Sequence, residues 1–190
     1  MIFKHRLYQP WVSILTACEC FCILSLLIAA FILQWHLHEL PCPLCWLQRV
    51  GLLLVVMPLL MNLRVRRRIL HTMLSQLAAI LTGVMACRQV LLHINGPLGS
   101  GYGDLLWGLH LYTWMAIACL GIAIYHSIVA CLIERFPEKP LYRQGRWGKY
   151  CVNALCVLFL LVTISSLLGV WLECGFSACP DNPVHYLHRI

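Results

Sequence analysis

A chain of 190 residues that is 61% hydrophobic and only 11% charged cannot fold as an ordinary water-soluble globule, because it has too little polar surface to cover one. Its formal charge of +7 comes from Lys and Arg in short clusters between apolar segments, the pattern of a membrane protein and not of a nucleic-acid binder. Twelve cysteines would suggest a disulfide framework in a small secreted chain, yet most lie within apolar runs, where Cys behaves as a small hydrophobe.

In chain order, residues 11–35 are apolar apart from Glu19 and a few small polar groups, and exceed the roughly 20 residues a spanning helix needs. The segment runs straight into Gln34, Trp35 and His36 with no small-residue cleavage site, so it is expected to be retained as a span. A short turn follows, holding Cys42 and Cys45, and a second apolar segment covers 46–63 with Arg49 near one end. Arg64, Arg66, Arg67 and Arg68 close it, and a third span covers 69–93 with Arg88 towards its far end. The Gly- and Pro-rich stretch 95–103 reads as a loop and Asp104 as the return. Spans four and five cover 105–133 and 150–172, separated by a polar, basic segment. The tail 173–190 is too polar and Pro-rich to continue the helix. The expected fold is an all-α membrane protein, a four-helix transmembrane bundle plus a fifth transmembrane helix, forming one integral membrane domain over 1–190.

Basic residues of short loops stay on the cytoplasmic side. Five spans put Lys4, Arg6, the 64–68 turn and the 135–149 loop together, which gathers eleven of the fourteen Lys and Arg on one face. The amino terminus is therefore expected to be cytoplasmic. The Cys42/Cys45 turn and the tail with Cys174 and Cys179 then share the opposite, non-cytoplasmic compartment, where in bacteria disulfides form and persist.

A Cys-x-x-Cys turn at the start of a helix is suited to redox chemistry, because the helix amino terminus and a nearby cation stabilise the nucleophilic thiolate. Arg49, four residues beyond Cys45, lies on the same helical face and can supply that cation; an arginine at the end of an apolar span is costly and argues for a purpose. The alternatives are a structural disulfide tying the turn, or half of a metal site. Cys174 and Cys179 could be a passive staple for the tail, but two dithiols on one face can pass an oxidising equivalent by thiol–disulfide exchange.

These features resemble the DsbB family of bacterial disulfide bond formation proteins: a long first span, the Cys42-Pro43-Leu44-Cys45 turn, Arg49, an Arg-rich turn, and a third span ending in Arg88-Gln89-Val90-Leu91-Leu92-His93. The resemblance covers roughly 11–133, the tail matching in chemistry. It implies a membrane thiol:quinone oxidoreductase of the bacterial inner membrane that reoxidises a periplasmic DsbA-like thioredoxin-fold protein and passes the electrons to ubiquinone or menaquinone. By the same resemblance Cys45 meets the quinone as a thiolate beside Arg49, Cys42 exchanges with the distal pair, Cys174 takes the mixed disulfide with the partner, and Cys179 links to Cys42. Gln48, Arg88, Gln89 and His93 complete the expected quinone surroundings, His93 as a donor to a quinone oxygen or a proton shuttle.

The chain departs from the family pattern in three ways. That pattern places its second cysteine pair between spans three and four, whereas 94–110 holds no cysteine here and the pair follows a fifth span. Many members carry Glu before the arginine and His near the outer end of span three, where this chain has Gln48 and Gln89 with His93 nearby. The Gly-rich loop is too short for the long amphipathic segment of better-known members. Two other readings use the same residues: a quinone oxidoreductase of the vitamin K epoxide reductase type, and a membrane protein that binds or transports metal through external Cys and His. Cys18, Cys20 and Cys22 are spread around the helix axis and are expected to pack, as are Cys87, Cys119, Cys131, Cys151 and Cys156; Glu19 is expected to be a buried, hydrogen-bonded carboxyl. Trp35, Trp46, Tyr102 and Trp107 fit an interfacial aromatic belt.

Overall fold

The computed structural model describes residues 2–37, 40–94, 105–135, 140–143, 145–177 and 179. Five helices make up nearly all of it: α1 (Ile2–Leu37), α2 (Pro43–Arg64), α3 (Ile69–His93), α4 (Leu111–Arg135) and α5 (Arg146–Cys174). Each contains a stretch long and apolar enough to cross a membrane, so the chain is an all-α membrane protein with five spanning helices.

Helix α2 is the axis of the bundle, packed against α1, α3 and α5, while α4 packs on α3. Its inward face joins Val55, Val56 and Leu63 to Cys20, Leu24 and Leu27 of α1, Ala79 of α3 and Val152 of α5 in one core. The outward faces of the other helices carry exposed Leu and Ile, Leu77, Leu120 and Leu160 among them, as a lipid-covered surface requires. Pro58 lies within α2 and deprives the carbonyl four residues before it of its helical donor; the hydroxyl of Ser75 on α3 donates to the next carbonyl, that of Val55, at 2.7 Å. At the Arg-rich turn, Asn62 accepts from the backbone of Arg68, bonds the His71 ring and donates to Thr72, so one buried amide closes the α2–α3 corner. Glu19 is bonded to His126 at 2.7 Å, tying α1 to α4, which is the hydrogen-bonded carboxyl expected of it.

The helices run past most of the expected span ends, α1 from Ile2 rather than 11, and three differences bear on the two cysteine-bearing ends and the hairpin. Residues 105–110 do not begin a span: Leu105–Leu106 (β1) and Leu109–His110 (β2) pair antiparallel across Trp107 and Gly108, both at positive φ (53° and 81°), and α4 begins only at Leu111. A two-residue turn of that handedness matches the twist of paired strands, and it is reached even though Trp pays for a positive φ. Helix α2 starts at Pro43 rather than 46, because proline at the first helical position forfeits only an N–H that has no helical partner. Helix α5 begins at Arg146 and runs on to Cys174, so the first two residues of the expected tail are helical. The loop 95–103, Asp104, Tyr102 and the tail beyond Cys179 lie outside the described residues.

Candidate redox site

Cys42 is the N-cap of α2. Its backbone is extended (φ −66°, ψ 161°), its carbonyl accepts from the N–H groups of Cys45 and Trp46, and its sulfur accepts from the Cys45 N–H at 3.2 Å. The Cys-Pro-Leu-Cys spacing thus builds one helical turn that holds Cys45 at the free N–H groups of the helix start, where negative charge is favoured. The two sulfurs are not bonded to each other. Cys42 is buried and Cys45 half-buried.

The side chain that reaches both sulfurs is Gln89 of α3. Its amide nitrogen donates to Cys42 Sγ at 3.3 Å and lies 3.6 Å from Cys45 Sγ, and its oxygen accepts from Gln48 Nε2 at 2.7 Å. Both glutamines are buried, so the orientation of Gln89 is held from behind by Gln48 and presents donors to sulfur. Donors aimed at sulfur favour thiolate over thiol in the pair as a whole. Cys42 itself is pushed up from its ordinary thiol range, first by its hydrogen bond to Cys45 and then by burial, which makes it the member that keeps the proton.

Arg49 is also buried, at 9% exposure, but turns towards α1. Its guanidinium donates to Gln34 Oε1 at 2.7 Å and to the Ala30 carbonyl at 3.4 Å, and it lies 4.7 Å from the ring centres of both Phe31 and Trp46. A cation between two aromatic faces is stabilised by their quadrupoles and supplies a fixed positive charge one turn below Cys45. His93 stands one turn beyond Gln89, its Nδ1 bonded to the Gln89 carbonyl at 2.9 Å and its ring 5.6 Å from Tyr112. Arg88 is exposed and points out of this group. Cys42, Cys45, Gln48, Arg49, Gln89 and His93 therefore share one end of the bundle.

The second cysteine pair reaches the same end through α5. Cys174 and Cys179 form a disulfide with Cα atoms 4.7 Å apart. Gly175, at φ 58°, turns the chain back at the helix end, and its N–H caps the Trp171 carbonyl while Ser177 caps that of Cys174. The residue before Cys174, Glu173, accepts a hydrogen bond from the indole N–H of Trp46 at 3.0 Å. Trp46 follows Cys45 directly, and its ring lies against Gly169 of α5, where an added Cβ would strike it. Trp46 is thus buried against α5 and not part of an interfacial belt, whereas Trp35 and Trp107 are exposed. Sequence reasoning gave no role to Glu173, Gln34 or Phe31. An acidic residue ending an apolar span immediately before a cysteine was the signal for the first; nothing in the spacing marked the other two.

Among the described residues no group of three or more His, Cys, Asp or Glu side chains is placed to hold a metal. A helical membrane protein that holds a Cys-x-x-Cys at a helix start, aimed at by amide donors, with a second cysteine pair at the same end, is built as a thiol–disulfide oxidoreductase. Residues 12–100 match the family model described as disulfide bond formation protein DsbB. Over that segment, just under half of the chain, the protein is similar to disulfide bond formation protein DsbB, and its five apolar helices make it a multi-pass membrane protein. The match takes in α1 to α3 with Cys42, Cys45, Gln48, Arg49, Gln89 and His93; α4, α5 and the tail pair lie beyond it. No curated protein and no solved structure matches the chain.

Proposed function

We propose that the protein is a thiol:quinone oxidoreductase of the bacterial inner membrane, one integral domain with its amino terminus in the cytoplasm and both cysteine pairs at the periplasmic face. It reoxidises a DsbA-like thioredoxin-fold protein and delivers the electrons to ubiquinone or menaquinone. The observation that carries this reading is the Trp46–Glu173 hydrogen bond, which ties the residue after Cys45 to the residue before Cys174 and so holds the two pairs together.

The partner dithiol reduces the Cys174–Cys179 disulfide, the tail dithiol reduces a Cys42–Cys45 disulfide, and the loop dithiol gives two electrons and two protons to a quinone arriving from the lipid. Cys45 is the sulfur that faces the quinone, since it is the more accessible of the loop pair. Arg49 holds positive charge beneath it and Gln89 steadies both sulfurs. Within the tail pair, Cys174 is 2% exposed and Cys179 is the more accessible, which supports Cys179 as the sulfur that meets the partner and Cys174 as the one that faces inward, the opposite of the order that the family resemblance implies.

The test is to mix the reduced thioredoxin-fold protein, the purified chain and a quinone, and to follow quinone absorbance. Quinone is expected to be reduced, and Cys45→Ser to abolish it; undiminished reduction by that variant would remove the mechanism. Cys174→Ser is expected to trap the partner on Cys179, and trapping on Cys174 in Cys179→Ser alone would restore the family order.

A further inference from the structure

Glu173 has no part in the chemistry described so far, yet it is 0% exposed at the redox end of the bundle. One carboxyl oxygen accepts from Trp46 Nε1 at 3.0 Å; the other, Oε1, is buried with no hydrogen-bond partner among the described residues. A carboxylate buried with an oxygen facing no donor is costly even though the charge of Arg49 acts on it and offsets part of that cost, and a proton on the oxygen removes much of what is left. The chain could have closed the Trp46 contact with a neutral Gln. It has instead an ionisable group directly before a buried cysteine.

That cysteine needs one. Cys174 is 2% exposed, so when its disulfide is opened the sulfur is released as a thiolate out of reach of bulk water, and when it attacks in its turn it must first lose a proton. The other groups at this end are poorly suited. Arg49 cannot take up a proton, and His93 lies on α3 with Nδ1 committed to the Gln89 carbonyl. His36 is exposed at the end of α1. Of the described residues of α5 at this end, Glu173 is the one that can exchange a proton with Cys174.

We infer that Glu173 is the proton-transfer residue for exchange between the two cysteine pairs. This rests on the relay proposed above. The partner's thiolate attacks Cys179, the Cys174–Cys179 bond breaks, and the Cys174 thiolate takes the proton of Glu173. The partner's second thiol then closes the partner's own disulfide and leaves Cys179 as a thiol. Next, Cys174 returns its proton to Glu173 as its sulfur attacks the Cys42–Cys45 disulfide and releases one loop sulfur. Cys179 resolves the resulting bond between tail and loop, the tail disulfide is restored, and its proton passes to the second loop sulfur. Two electrons have moved from partner to loop pair, and Glu173 ends protonated as it began.

The experiment is a single turnover of the full chain, its loop pair first oxidised with quinone and the quinone then removed. It is mixed with reduced thioredoxin-fold protein, quenched in acid, and alkylated so that mass locates the free thiols. Glu173→Gln keeps an acceptor for Trp46 but carries no exchangeable carboxyl proton, and is expected to slow the appearance of loop thiols by about 100-fold. Glu173→Asp keeps the carboxyl and is expected to recover part of that loss, which separates proton transfer from a fault in folding. Glu19→Gln, at a partly buried carboxyl on another spanning helix, is expected to transfer at the wild-type rate. Transfer at the wild-type rate by Glu173→Gln, or equal slowing by Glu19→Gln, would overturn the inference. If the wild-type chain moves no thiols from tail to loop, it is the relay itself that fails.

Discussion

Gln89 holds two sulfurs with one amide nitrogen while Gln48 holds its oxygen, so a single side chain fixes the loop pair from the neighbouring helix. Hydrogen bonds to a charged group contribute about 1.5–3 kcal/mol, so Gln89→Leu is expected to lower the quinone reductase rate by roughly 10- to 100-fold with the fold retained, measured by quinone absorbance and circular dichroism. The Cys42 thiol gives a pH signature. It is raised above its ordinary value of 9.0, first by the hydrogen bond to Cys45 and then by burial. In the reduced protein Cys42 therefore stays protonated where an ordinary thiol ionises, and its alkylation by iodoacetamide is expected to keep rising above pH 9. Cys45→Ala removes the larger cause, so the rise is expected to shift to lower pH; an unchanged profile would place the cause in burial alone. At this scale the sequence was half legible. The spacing of Cys42, Cys45 and Arg49 on one helix is local and could be read directly. The turn of Arg49 towards Gln34 and the grip of Gln89 on sulfur are contacts between helices, which no local spacing encodes.

Helix α5 differs from the other spans in what its last turn carries. Gly169 leaves room for the Trp46 ring, Glu173 bonds its N–H, and Cys174 follows, so one helical face registers the tail pair against the start of α2. Gly169→Leu is expected to push Trp46 away, at a cost of about 1–3 kcal/mol, seen as a lower melting temperature and slower transfer between the pairs with the Cys174–Cys179 disulfide still formed. The clasp between α1 and α4 is of another kind. Glu19→Ala leaves buried His126 without that partner and is expected to cost about 1 kcal/mol in thermal stability while leaving quinone reduction unchanged. The five spans could be read from hydropathy because length and apolar content suffice to define them. Their ends could not: the hairpin at 105–110 is made of the same Leu and Trp as a span, and α5 outruns its hydropathy because Glu173 finds a partner in the indole of Trp46.

The whole molecule has a polar asymmetry that is written along the chain in its basic clusters. On the proposed orientation, a membrane-impermeant thiol reagent applied from the periplasmic side after reduction is expected to label Cys45 and Cys179, the more accessible member of each pair; labelling of Cys179 only from the cytoplasmic side would invert the fifth span and dissolve the relay. The juxtaposition of the two pairs lay beyond sequence reading, because it depends on how α5 leans on α2.

The tail disulfide spans a sequence separation of only five residues. Closing so small a ring removes little freedom from an unfolded chain, about 2 kcal/mol against nearly 5 for a ring of 100 residues. Other groups anchor the helix end beside it: the Gly175 N–H caps the helix and Glu173 accepts from Trp46. A bond that contributes so little to holding the chain together can be opened and closed repeatedly at little cost to the stability of the scaffold around it.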